Sequence, residues 1–167
     1  MKTLDLSLYL VLDPDLCGGA ANMVHTARLA AENGATVVQL RAPNWKKRQW
    51  LETATELKAV LAPLGVPLII NDQVDIALAI DADGVHVGQD DLPAVVVRRL
   101  SGPDKWLGLS VTNAQQLAAV PHGVVDHLGI GPVYPTGTKL DAAPVVGLTA
   151  FADLVAASRW PVVAIGG

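Results

Sequence analysis

Asp72 and Asp91 each follow closely on an apolar, strand-like run. Pro67–Ile70 precedes Asn71-Asp72, and Gly84–Val87 precedes Gln89-Asp90-Asp91. Arg41 closes a third such run, Thr36–Leu40, and Lys139 ends the segment DHLGIGPVYPTGTK at 126–139. Two carboxylates from neighbouring strand ends suit Mg2+, a hard cation that takes one or two carboxylates together with phosphate oxygens and water. An arginine grips phosphate through two parallel N–H donors, and a lysine neutralises it as a point charge. Thr136, Gly137 and Thr138 add hydroxyls and free amides, and Gly166-Gly167 adds further backbone donors of the kind that cradle phosphate. The set points to a metal-bridged phosphate or diphosphate, stabilised as it departs, with no nucleophilic side chain required.

The same residues have plainer uses. Asp72 could cap the helix that follows it, as could Asp90-Asp91 before Leu92-Pro93. Arg41 could pair with a surface carboxylate, His86 could be an interior histidine, and Thr136 and Thr138 suit any turn. Position separates the two readings. Asp13, Gln39, Arg41, Asn71-Asp72, His86, Gln89–Asp91, Ser110, Thr136–Lys139 and Gly166-Gly167 all lie at or just beyond the C-terminal ends of apolar runs. The N-terminal ends carry Gly, Pro and ordinary surface residues. In a β/α barrel, active sites are assembled on the C-terminal face.

The elements that must position these residues alternate from one end of the chain to the other. Strands are expected at Leu8–Leu12, Thr36–Leu40, Pro67–Ile70, Gly84–Val87, Trp106–Leu109, Leu128–Ile130 and Pro161–Ile165. Their continuously apolar, largely β-branched content fits parallel strands covered on both faces. Helices are expected from an Asn22 cap to Asn33, from Trp45 to Leu61, from Asp72 to Ile80, and from Pro93 to near Gly102. Two more follow, one capped by Asn113 and ending before Pro121, one capped by Thr149 and reaching about Ser158. Strict alternation implies a parallel sheet with right-handed crossovers, an open doubly wound sheet or a β/α barrel. No composition shift divides residues 1–167, so a single domain is expected. Neither a Gly-x-Gly-x-x-Gly after the first strand nor a Walker-type lysine is present, which weakens a nucleotide-binding reading.

Composition sets the outer bounds. With 167 residues, 51% of them hydrophobic and 17% charged, the chain is expected to bury a sizeable core. A net charge of −4, with no basic run longer than Lys46-Lys47-Arg48, argues against nucleic acid as partner. The lone Cys17 and the lack of a long apolar run or leader pattern lead to the expectation of a cytoplasmic protein without a membrane partner.

Together these residues resemble the thiamine phosphate synthase (thiamine-phosphate pyrophosphorylase) family. The resemblance is carried by VVQLR at 37–41, IINDQVDIALAIDADGVHVGQDDLP at 69–93, GLS at 108–110, DHLGIGPVYPTGTK at 126–139 and VVAIGG at 162–167. It implies a (β/α)8 TIM-type barrel that joins hydroxymethylpyrimidine diphosphate to a thiazole phosphate and releases pyrophosphate. It implies a dissociative substitution in which Mg2+ and cations draw the diphosphate away and the thiazole nitrogen captures a pyrimidine-stabilised carbocation. By matching position, Asp72 and Asp91 would bind Mg2+, and Arg41, Asn71 and Lys139 would hold the diphosphate. Gln39 and Ser110 would face the pyrimidine and the departing group. Thr136, Thr138 and the Gly167 amide would contact the thiazole phosphate, and His86 and Gln89 would serve as wall and support. The partners implied are these small molecules, and a homo-oligomer is left open.

Three departures stand out. The family pattern Arg-x-Lys is here Arg41-Ala42-Pro43, with Lys46 or Lys47 the nearest substitute for the lost cation. A histidine common two residues after the serine is here Thr112. The chain ends at Gly167, inside the motif of the seventh strand, so strand eight and the last helices are expected to lie beyond this sequence. Two rival functions remain open. One is a thiazole tautomerase-like isomerase, a branch with a histidine where this chain has Pro132 and without the paired acids. The other is a non-catalytic barrel that binds phosphate ligands, a reading that Pro43 keeps alive.

Overall fold

The computed structural model describes residues 4–137 and 144–166. Thr138, Lys139 and Gly167 fall outside that range. The chain divides into two compact units: Met1–His86 with Arg99–Trp106, and Val87–Arg98 with Leu107–Gly167.

The first unit holds β1 (Tyr9–Leu12), α1 (Pro14–Cys17), α2 (Ala20–Glu32), β2 (Val37–Leu40), α3 (Lys47–Leu61), β3 (Leu68–Asn71) and α4 (Val74–Ala79). It also takes β4 (Gly84–Val87) as far as His86. All pairings are parallel, with Leu12 opposite Leu40, Leu40 opposite Ile70, and Asn71 opposite His86. β2 is buried at every position, as are Leu68, Ile69 and Ile70 in β3. Strands covered on both faces favour such β-branched and aliphatic runs. α3 buries Trp50, Thr53, Ala54, Leu57 and Leu61, the i, i+3, i+4, i+7 stripe of a helix laid on a core. It packs against α2, which contributes Met23 and Ala27.

The second unit contains α5 (Ala94–Ser101) as far as Arg98, most of β5 (Trp106–Val111), α6 (Ala114–Ala118), β6 (His127–Ile130), α7 (Gly147–Ala157) and β7 (Val162–Ala164). β5 pairs with β6 and β6 with β7, again parallel. Leu107, Leu109, Val111, Leu128 and Ile130 form its centre.

All seven expected strands form, their ends shifted by two residues at most. The helix starts moved more. Asn22 does not cap α2; Gly19 occupies that place without a side-chain bond, and the Asn22 amide donates to the Gly18 carbonyl. Thr149 lies inside α7, whose start follows the Val146 N–H bond to the Pro132 carbonyl at 2.8 Å. α1 was not expected at all, although Asp13-Pro14 followed by Gly18 spells a cap, a first-turn proline and a left-handed stop. Asn113 does cap α6, its side chain accepting from the Gln116 N–H at 2.9 Å. Asn113→Ala is expected to cost about 1 kcal/mol; an unchanged urea midpoint would show that this cap contributes nothing.

Candidate active site

In the first unit the polar residues gather where β1, β2 and β3 end. Asp72 follows β3 directly, and its N–H donates to the His86 carbonyl of β4 at 2.9 Å. Its carbonyl accepts from the Val74 N–H at 3.0 Å. Between these bonds Asp72 adopts φ +59°, a left-handed conformation that few residues other than glycine take and that Asp and Asn tolerate best. The side chain does not cap α4, whose first flanking residue is Gln73 and carries no side-chain cap bond. The Asp72 carboxylate instead accepts from the Asn71 amide at 2.6 Å. The plainer use of Asp72 as a helix cap is therefore replaced by a carboxylate oriented by its neighbour in a strained turn, a combination typical of functional positions.

Arg41 extends the ladder by one step past β2, its N–H donating to the Leu12 carbonyl at 3.0 Å. Its guanidinium meets the Asp13 carboxylate at 3.4 Å. Gln39 is buried on β2, and its amide donates to the Tyr9 hydroxyl at 2.8 Å. Burial pushes the Tyr9 phenol well above its ordinary range, the Gln39 bond acting in the opposite direction, so Tyr9 stays neutral. The expectation that Lys47 could replace the missing lysine meets an obstacle. Its ammonium donates to the Gln73 side chain and to Asp75 at 2.7 Å. That bond is the main cause holding the Asp75 carboxyl below its ordinary value. Lys46 is exposed at the start of α3.

In the second unit Asp91 is exposed, and its carboxylate accepts from the Gly88 N–H at 2.8 Å. It closes a short turn ahead of α5, which begins only at Ala94. Gln89 donates to the Ser110 carbonyl at 2.6 Å, tying that turn to β5. Thr136 is half-buried. The loop after β6 lies directly on the end of β7: the Val133 N–H reaches the Ile165 carbonyl at 2.9 Å and the Tyr134 N–H reaches Gly166 at 3.2 Å. A Cβ on Gly131 would overlap the Ile165 carbonyl, and one on Gly166 would lie 2.6 Å from the Pro132 ring. Gly166 also has φ +96°. Glycine is required at both positions by this close approach.

The first unit thus brings Gln39, Arg41, Asn71 and Asp72 to adjacent strand ends, and the second does the same for Asp91, Ser110 and Thr136. The contacts of Tyr9 with Gln39, of Asp13 with Arg41 and of Lys47 with Asp75 were not expected. The register could have pointed to the first two: Asp13 and Arg41 follow the paired Leu12 and Leu40, and Tyr9 lies two residues before Val11, the partner of Gln39, on the same face.

The family model described as thiamine monophosphate synthase matches residues 8–167. The thiamine-phosphate synthase of Laribacter hongkongensis is 57% identical over 166 residues, 99% of this chain and 78% of the relative. That of Xanthobacter autotrophicus is 51% identical over the same shares. The solved structure of thiamine phosphate pyrophosphorylase from Pyrococcus furiosus superposes with a TM-score of 0.83 at 33% identity, covering 97% of this chain and 75% of that one. The fold is accordingly of the TIM-barrel α/β type. A match that extends over nearly the whole chain, in sequence as in fold, makes it a member of the thiamine monophosphate synthase family, transferases that form thiamine phosphate.

Proposed function

We propose that the chain couples hydroxymethylpyrimidine diphosphate with a thiazole phosphate to give thiamine phosphate and pyrophosphate. The observation that carries this reading is the Asn71-Asp72 turn, where a strained backbone presents a carboxylate already oriented by an amide. Asp72 and Asp91 are the residues that would hold Mg2+, each through its carboxylate. The donor chemistry fits that ion. Both carboxylates are hard oxygen donors, and Mg2+ asks for one or two carboxylates and completes its shell with phosphate oxygens and water. When bound, Mg2+ neutralises charge on the departing diphosphate.

The protein's own groups do the rest. Arg41, Asn71 and Lys139 hold the diphosphate, the arginine through the guanidinium donors that Asp13 does not take. Gln39, locked by Tyr9, and Ser110 face the pyrimidine and the departing group. Thr136, Thr138 and the Gly167 amide hold the thiazole phosphate. The bond from the pyrimidine methylene to the diphosphate oxygen breaks, its electron pair leaving with the oxygen. The thiazole nitrogen then supplies the pair for the new C–N bond. No side chain acts as nucleophile. With Pro43 in place of a lysine and Lys47 engaged at α4, Arg41 carries a larger share of the charge. Arg41→Ala is expected to lower kcat/KM by about 10- to 150-fold, the equivalent of one charged hydrogen bond.

No helix among the described residues is long and apolar enough to cross a membrane, and a cytoplasmic setting is part of this reading. The deciding experiment is a coupled pyrophosphate-release assay with each substrate alone and with both, with and without Mg2+. Release only with both substrates and Mg2+ supports the synthase. Turnover of a thiazole carboxylate phosphate without metal would assign an isomerase, and phosphate-ligand binding without turnover a binding protein.

A further inference from the structure

We infer that Asp13 is a positioning residue, whose buried carboxylate holds the Arg41 guanidinium in the orientation that receives the diphosphate. The inference rests on the assignment of Arg41 made above. Asp13 and Arg41 sit one step beyond the paired residues Leu12 and Leu40, and the ladder continues through the bond from the Arg41 N–H to the Leu12 carbonyl. Residues at matching positions on neighbouring parallel strands project to the same face. The strand register therefore brings the two side chains together.

The Asp13 side chain is only 7% exposed and that of Arg41 16%. A carboxylate so far from water is costly unless its oxygens are satisfied. Both have partners. Oδ1 accepts from the Asp15 N–H at 2.9 Å, capping α1, and Oδ2 faces Arg41 Nη1 at 3.4 Å. One oxygen is thus anchored to backbone, which makes the other a fixed point. Capping alone would need only one oxygen, and a serine would serve as well.

Arginine carries five donors in a planar fork. Fixing one nitrogen against Asp13 sets the plane of the others while most of them stay available. A long side chain ordered before the ligand arrives loses less freedom on binding. Such ordering matters more here than in a site with two cations, because Pro43 removes the second from this strand end.

The test compares wild type, Asp13→Asn, Asp13→Ser, Arg41→Ala and the double variant Asp13→Asn/Arg41→Ala. Pyrophosphate with Mg2+ is the calorimetric probe, and KM is measured for both substrates. Asn and Ser keep an acceptor for the Asp15 N–H, and Ser is too short to reach Arg41. Either single variant at Asp13 is expected to weaken pyrophosphate binding and raise KM for the pyrimidine diphosphate by about tenfold. KM for the thiazole phosphate should not move, and Asp13→Asn should have no effect once Arg41 is Ala. Wild-type binding in both Asp13 variants, with Arg41→Ala weakened, would overturn the inference while leaving the diphosphate assignment standing. An undiminished effect of Asp13→Asn in the Arg41→Ala background would also overturn it. Wild-type binding in Arg41→Ala would remove the assignment itself.

Discussion

Asp72→Asn is expected to cut pyrophosphate release by a factor on the order of 10² to 10³, with thermal stability close to wild type. The two halves of that expectation come from different parts of the structure. Position 72 has φ +59°, and asparagine is one of the few residues that tolerates this conformation. The backbone bonds from Asp72 to His86 and Val74 need no side chain and should persist. The substitution therefore removes a charge and leaves the turn. Asp72→Ala would be a poorer experiment, because it adds backbone strain to the loss of charge. An amide oxygen is a weaker ligand for a hard cation than a carboxylate. The concentration of Mg2+ needed for half-maximal rate should therefore rise as well. A variant retaining more than about a tenth of wild-type turnover, a loss well short of the expected hundredfold or more, would remove Asp72 from the metal site.

The second unit is expected to lose stability as the solution is acidified from pH 6.5 towards 4, by about 3 kcal/mol in all. His127 on β6 is only 1% exposed. Burial lowers its pKa from the ordinary 6.5 to about 4, the neighbouring Asp126 charge pulling the other way. Asp126 is itself engaged by Arg98 at 2.6 Å and by the Leu107 N–H at 2.7 Å. Above pH 6.5 His127 is neutral in the folded and the unfolded chain and contributes no dependence. Below it the unfolded chain takes up a proton that the folded chain refuses, so unfolding gains ground. Below about pH 4 both states are protonated and this contribution levels off. Urea unfolding at pH 7, 5.5 and 4 reads the slope, and His127→Gln should flatten it whatever it does to stability at pH 7. The same slope in both proteins would show that another group is responsible.

The amino-acid sequence by itself determined the alternation of strands and helices, the seven strand positions, the Asn113 cap and the C-terminal address of the polar residues. These are local properties: an apolar β-branched run reads as a buried strand wherever it pairs, and a cap needs only the next three residues. The order of the strand-end motifs, from VVQLR to VVAIGG, likewise sufficed to point to the family that the comparisons show. The tertiary structure alone decided what several of those residues do. Asp72 could have been a helix cap by its neighbours in sequence. It became an oriented carboxylate because its N–H is taken by His86, fourteen residues on and one strand across. Arg41 meets Asp13 through the register of β1 and β2, and Lys47 meets Asp75 only because α3 packs beside α4. Gly131 and Gly166 are required by a backbone crossing between segments more than thirty residues apart. Side-chain chemistry sets which bonds are available to each of these groups, and strand register and helix packing select among them, because the selecting partner lies far along the chain.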